Sequence, residues 1–271
     1  MEFIEVDFRF APIGQTTDIL VAQLSEIDFD SFQEVDTGLI GYIEKQKFNE
    51  EKIKEVIPDN VSFSSKVMPN INWNKTWESN FEPILIDDLC AIRATFHKKI
   101  DVKYEIIINP KMSFGTGHHE TTYLMIKRLL ELELENKIVL DMGCGTGILG
   151  ILASMKGAKS IDGIDIEEWA YENCIENCEI NQIKNFTTIL GDVSKIDGKK
   201  YDLIIANINR NVLLNDLHSY YNSLNKNGAI LLSGFYEEDF DLINQEAKKN
   251  NLSLNDKKTK NKWCLLSYTK Q

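Results

Sequence analysis

Between Lys137 and Gly147 the chain reads KIVLDMGCGTG, an apolar run that ends at Asp141 and gives way to three glycines before a helical pattern begins at Ile148. Gly143, Gly145 and Gly147 carry no Cβ, so this backbone can turn through positive φ and approach a ligand closely. In an open α/β sheet, a turn leaving the carboxyl end of a strand lies where ligands bind. Two ligand chemistries fit. Gly145, Gly147 and Gly150 match the G-x-G-x-x-G spacing of dinucleotide sites. That match starts late, however, with Asp141 and Gly143 already in the turn, and a carboxylate at Asp141 opposes a pyrophosphate. The same carboxylate suits a cationic sulfonium that carries an amino group. Asp141, Gly143 and Gly145 are therefore read as contacts to such a ligand.

A second apolar run, in SIDGIDIEE, ends at Asp165. A carboxylate there is placed to accept from ribose hydroxyls. Asp162 competes but lies mid-strand. An isolated strand-end Asp is more often a helix cap; the glycine loop before it favours the binding role for Asp165. Gly191-Asp192 follows a third run. Asp192 is read as an acceptor for an adenine amino group, with a simple turn as an equal alternative. A fourth run, YDLIIANINR, ends at Asn207. Its amide oxygen can accept a hydrogen bond from an amine and aim the nitrogen lone pair at a methyl group. Methyl transfer is a displacement at carbon, in which positioning supplies much of the rate, and the attacking amine must be neutral. No residue is marked as the base. Asn209 and Arg210 adjoin the site, Arg210 more as a surface charge.

Upstream stands NPKMSFGTGHHETT, Asn109 to Thr122. Phe114, Gly115, Thr116 and Gly117 form a second glycine turn that can lie over a ligand and exclude water. Thr121 or Thr122 can bond the ligand or cap the next helix. His118 and His119 are adjacent, so their side chains point apart, and with no third ligand the metal reading is set aside.

These residues need strands and helices to hold them. From Ile138 onward the pattern alternates: strands at 138–141, 160–165, 186–190, 201–206 and 229–233, with helices at 148–156, 169–181, 212–224 and 239–249. Such alternation implies a mostly parallel, doubly wound α/β sheet covered on both faces. Two strands at 252–256 and 263–268, with no helix between them, imply an antiparallel finish. Short strands at 84–86, 90–96 and 104–108 and a helix at 121–133 come before. The first 68 residues read β-α-β-β-α-β, with strands at 3–10, 29–35, 39–43 and 61–67 and helices at 16–26 and 50–56. That is the order of a ferredoxin-like α+β domain. Residues 69–83, PNINWNKTWESNFEP, read as a linker, and a hinge there would let two domains reorient. The expected division is 1–68, 69–83 and 84–271.

Composition narrows the classes. The chain has 271 residues and a formal net charge of -12, so the overall basic footprint of a nucleic-acid binder is absent, and no direct nucleic-acid binding is expected. No run approaches the roughly 20 apolar residues of a membrane span, and MEFIEVDFRFAP lacks the pattern of a signal peptide. A cytoplasmic setting with no membrane partner is expected. The five cysteines lack zinc-type spacing; Cys174 and Cys178, one helical turn apart, read as small helix residues.

Taken together, NPKMSFGTGHHETT, VLDMGCGTGILGI, GIDI and IIANI resemble the bacterial methyltransferases that modify protein L-eleven of the large ribosomal subunit. The resemblance spans nearly the whole chain, including W-x-x-x-W-x-x-x-F-x-P from Trp73 to Pro83. The Phe114–Gly117 segment is its most specific part. It implies a class I methyltransferase (Rossmann-like) fold with seven strands, S-adenosyl-L-methionine as cofactor, and a ferredoxin-like domain that recognises the protein substrate. It further implies methylation of lysine side chains and an α-amine, up to the trimethyl state, on protein L-eleven, free or on the ribosome. Its cofactor contacts fall on Thr122, Gly143, Asp165 and Asn207. Two departures flank the site: His118-His119-Glu120 where Thr-His-Pro is usual, and Asn209-Arg210-Asn211-Val212-Leu213 where Leu-Ala-Gly-Pro-Leu is common. An N-methyltransferase for another protein or small-molecule amine is the alternative.

Overall fold

The computed structural model describes residues 3–10, 15–35, 37–58, 60–67, 82–109 and 117–271. The chain divides into two compact units, Met1–Phe81 and Glu82–Gln271.

In the first unit, β1 (Phe3–Arg9) is central, flanked by β3 (Gly38–Glu44) and β4 (Ser62–Val67), with β2 (Phe29–Val35) outside β3. All pairings are antiparallel. Alternation along β1 sends Ile4, Val6 and Phe8 inward, where α1 (Gln15–Ser25) and α2 (Glu50–Val56) meet them with Leu20, Leu24 and Ile53. Asn49 starts α2 by accepting from Glu51 N and Lys52 N, which satisfies two of the donors a helix start leaves open. The order β2-β3-β1-β4 with two helices is the ferredoxin-like arrangement.

The second unit carries a small sheet, β5 (Ile84–Ile86), β6 (Cys90–Ala94) and β7 (Tyr104–Ile108), and a seven-stranded one. The large sheet is ordered β10 (Phe186–Leu190), β9 (Ser160–Asp165), β8 (Ile138–Met142), β11 (Tyr201–Asn207), β12 (Leu224–Tyr236), β14 (Trp263–Lys270), β13 (Leu252–Lys260). The first five are parallel; β14 runs antiparallel between β12 and β13. Strand order reverses between β8 and β11, the switch point at which such sheets bind ligands. Five helices cover it: α3 (Glu120–Glu131), α4 (Ile148–Met155), α5 (Glu168–Ile180), α6 (Arg210–Ser223) and α7 (Phe240–Lys249). Leu140, Ile204, Ile230 and Leu266 pack with Leu213, Leu217 and Ile243 from α6 and α7. Their neighbours Val139, Ile205, Leu231 and Leu265 point the other way and are equally buried. A sheet covered on both faces explains the near-continuous apolar runs.

Some boundaries differ from the sequence reading. β12 begins at Leu224, because Leu224 bridges Tyr201, and ends at Tyr236, paired with Trp263. α6 begins at Arg210, because the Asn209 side chain accepts from Val212 N at 3.1 Å and caps it. One feature lies outside what hydrophobic periodicity reports. Asn173, Asn177 and Asn181 form a stripe on α5 facing β7. Asn181 accepts from Ile107 N (2.9 Å) and donates to Ile107 O. Asn177 accepts from Asn109 N (2.7 Å), and Asn173 donates to Asn109 O (3.2 Å). Asn177 also donates to Thr146 O in the glycine loop (2.9 Å).

Candidate active site

The crevice at the switch point holds a cavity of about 430 Å³. Its floor is the glycine loop. Gly143 (φ +67), Gly145 (φ +54) and Gly147 (φ +78) all take left-handed backbone. Gly143 N and Cys144 N donate to Ile164 O at 2.8 and 3.1 Å, tying the loop to the end of β9. A Cβ on Gly143 would lie 2.2 Å from Ile208 Cγ2, so only glycine lets the loop pass beside β11. Gly147 is held for packing, since a Cβ there would fall 2.6 Å from Cys174 Sγ.

Asp165 lines the cavity. Its Oδ2 accepts from Gly145 N at 2.9 Å and its Oδ1 from Glu167 N at 3.1 Å. The carboxylate thus braces the loop and retains lone pairs for a ligand. Asp162 is turned elsewhere, accepting from Tyr201 Oη and Lys199 Nζ, both at 2.8 Å. Asp192 also lines the cavity while its Oδ1 accepts from Ser194 N (3.0 Å) and Ser194 Oγ (2.6 Å). Those bonds hold its carboxyl below the usual range. The turn-forming and cavity-lining readings of Asp192 therefore coincide. Gly143, Gly145 and Asn207 complete this side. Asn207 Oδ1 is buried and has no partner among the described residues. An orphaned acceptor of that kind is costly unless a ligand satisfies it.

Two of the expected contacts, Asp141 and Thr122, are buried and are not among the residues that line the cavity. Asp141 does not line the cavity. Alternation along β8 puts Met142 at the cavity and turns Asp141 to the opposite face, 1% exposed, where its Oδ2 accepts from Gly150 N at 2.9 Å. It secures the first turn of α4, and burial pushes its carboxyl well above the ordinary range. The contact that the structure gives this carboxyl is a structural one. Thr122 is buried in the first turn of α3, its Oγ1 without a partner among the described residues; Thr121 and His119 line the cavity instead. Neither threonine caps α3: His119 does, through Thr121 N. Phe114, Gly115 and Thr116 lie outside the described residues, as does most of the 69–83 linker. Arg210 pairs with Asp239 at 2.5 Å.

Sequence reasoning missed the aromatic wall. Trp169, 48% exposed, and Ile166, 69% exposed, stand just after Asp165 and line the cavity, and Trp263 lines it from the start of β14. The antiparallel last strand was the available signal. A strand that runs against its neighbours begins where theirs end, which delivers Trp263 to the ligand edge.

An apolar wall between two carboxylates, a glycine floor and an orphaned amide oxygen suit S-adenosylmethionine. Asp165 would take its ribose hydroxyls, Asp192 its adenine amine, and Ile166 and Trp169 the flat face of the ring. With a doubly wound sheet and an antiparallel seventh strand, this places the protein among the class I S-adenosylmethionine-dependent methyltransferases. Comparison with known proteins narrows the class. The family model described as "Ribosomal protein L11 methyltransferase (PrmA)" matches residues 15–271, and the chain belongs to that family. A relative from Bacteroides thetaiotaomicron, named ribosomal protein L11 methyltransferase, is 44% identical over 279 residues, covering 99% of this chain and 100% of the relative. One of the same name from Porphyromonas gingivalis is 44% identical over 261 residues, 93% of this chain and 90% of its own. The crystal structure of a ribosomal protein L11 methylase from Lactobacillus delbrueckii subsp. bulgaricus matches with a TM-score of 0.65 at 26% identity, covering 70% of this chain and all of that one.

Proposed function

We propose that this enzyme methylates amino groups of ribosomal protein L11, on lysine side chains and the α-amine, up to the trimethyl state, in the cytoplasm. The carrying observation is Asn207 Oδ1, buried at the end of β11 with no partner among the described residues, on a residue that lines the cavity. An amide oxygen there accepts a hydrogen bond from an incoming neutral amine and fixes its lone pair. Bound S-adenosylmethionine supplies the electrophilic methyl group. The chain's own part is to hold that group on Gly143, Gly145, Asp165 and Asp192 and to keep the acceptor dry and aligned. The ferredoxin-like unit serves as the substrate recogniser. The names of the relatives support the choice of ribosomal protein L11.

The test is incubation of the protein and S-adenosylmethionine with under-methylated ribosomal protein L11, followed by intact mass measurement. Mass should rise in methyl steps. No rise, alongside methylation of a different amine, would defeat the substrate assignment and leave the methyltransferase class standing.

A further inference from the structure

A second cavity, of about 310 Å³, adjoins the first between the start of α6, the end of β12 and the start of β14. The two share Asn209, Gly234 and Trp263 as walls. Its aromatic side is Tyr236 against Trp263, set opposite each other by the β12–β14 register, with ring centroids 4.1 Å apart. His119 stands edge-on to Trp263 at 4.5 Å. The charges are uneven. Arg210 and Asp239 neutralise one another, and Asp239 Oδ2 also accepts from Tyr236 N. Glu238 lines the same cavity and makes no ion pair or hydrogen bond among the described residues. Farther out, Tyr236 and Glu238 border a third cavity with Glu237 and Lys262. There Glu237 is paired with Lys257 at 2.9 Å, which leaves Lys262 as the cation at the outer mouth.

We propose that this second cavity receives the acceptor as an ammonium ion, held against the Tyr236–Trp263 pair with Glu238 as counter-charge, and that it favours the methylated forms. The inference rests on the amine-methylating reading above and deepens it. Three physical arguments converge. An aromatic face attracts a cation, most strongly one that is weakly hydrated, as methylated ammonium ions are. A single uncompensated carboxylate beside that face adds attraction, because the cation that lines the same cavity, Arg210, is already paired with Asp239. The shared wall of Asn209, Gly234 and Trp263 leads from this cavity to the one that Asn207 lines, so an ammonium held here sits one short step from the methyl-accepting position. Each methylation makes the product a better ligand for the aromatic pair. A mono- or dimethylated lysine is thus retained near the site for the next round. Tyr236 and Glu238 act as specificity-determining residues, outside the cofactor cavity.

The full chain labelled with 5-fluorotryptophan tests this without cofactor or ribosomal protein. The Trp263 resonance is assigned with Trp263→Phe. Nα-acetyl-Nε-trimethyllysine amide is then titrated against its neutral isostere, Nα-acetylnorleucine amide. A saturable Trp263 shift with the cation and none with the isostere is expected. Tyr236→Leu should weaken the cation about fivefold, with Tyr236→Phe close to wild type. Glu238→Gln, at an exposed position, should weaken it about twofold to threefold. No saturable Trp263 shift, equal response to the isostere, or an unchanged Tyr236→Leu would overturn the proposal. The cation titration and ribosomal protein L11 methylation fail separately: binding without methylation refutes the substrate, and methylation without binding refutes the ammonium site.

Discussion

Gly143→Ala and Gly234→Ala, each made with and without Ile208→Ala, should couple differently to it although both glycines press on the same residue. A Cβ on Gly143 would meet Ile208 Cγ2 at 2.2 Å, with Ile208 Cβ next at 3.7 Å. The overlap is with one methyl group, which Ile208→Ala deletes, leaving ordinary contact. A Cβ on Gly234 would meet Ile208 O at 2.2 Å, C at 2.7 Å and N at 2.8 Å. Those are backbone atoms, and removing the side chain relieves none of them. Overpacking costs about 1–3 kcal/mol, and left-handed backbone at Gly143 adds about 1–2 kcal/mol for alanine. Gly143→Ala should therefore lose about 2–5 kcal/mol, with about 1–3 kcal/mol of it absent from the double mutant. Gly234→Ala, at φ +97, should lose about 2–6 kcal/mol and add to Ile208→Ala without relief. These are large against a typical total of about 5–15 kcal/mol. Urea unfolding followed by tryptophan emission measures the cycle. Relief of Gly234→Ala equal to that of Gly143→Ala would refute the assignment of the two clashes.

Other changes test the site and its support. Asp165→Ala removes the acceptor for Gly145 N and Glu167 N together with the proposed ribose contact, so S-adenosylmethionine affinity should fall about tenfold to a hundredfold by calorimetry; an unchanged affinity would show that the carboxylate serves the loop alone. Asn207→Ala should lower kcat on ribosomal protein L11 about a hundredfold while cofactor affinity changes much less, and full turnover in that variant would remove the positioning role. Arg93, 8% exposed, donates to Glu105 at 2.8 Å, and that bond, against some opposing burial, holds the Glu105 carboxyl below its usual range. A lowered carboxyl stabilises the fold above its unfolded-state pKa and loses that contribution as pH falls through its folded-state value. Glu105→Gln should cost about 1–3 kcal/mol at neutral pH and flatten the acid limb of a melting series from pH 7 to pH 3; an identical acid limb would count against the pair.

The parallel core was readable because strands buried on both faces are written as apolar runs, and their ends located Asp165 and Asn207. The direction of Asp141 is a matter of parity, which nearness to the glycines does not carry. Strand alternation assigns the neighbouring Met142 to the cavity side and Asp141 to α4. Trp263 was placed in the right strand but not at the site, because its arrival there depends on which way β14 runs past β12. The α5 stripe is hidden for a third reason. Cys174 and Cys178, one turn apart, are buried, while the asparagines at the same spacing carry the polar contacts. Polar residues on a helix read as solvent-facing until something is known to pair with them.

That stripe lets a helix stand in for a strand. Two residues of strand advance about 6.6 Å, and four residues of helix advance about 6.0 Å. Asn177 and Asn181 can therefore serve Asn109 and Ile107 in step, with helix and strand running in opposite directions. The mismatch of about 0.6 Å per step accumulates and keeps such a seam short; here the three asparagines serve two residues, Ile107 and Asn109. The outer edge of β7 is thereby closed to pairing with another chain, by amide groups that cannot themselves propagate a sheet. Glutamine at any of the three positions would keep the chemistry and lose the pitch.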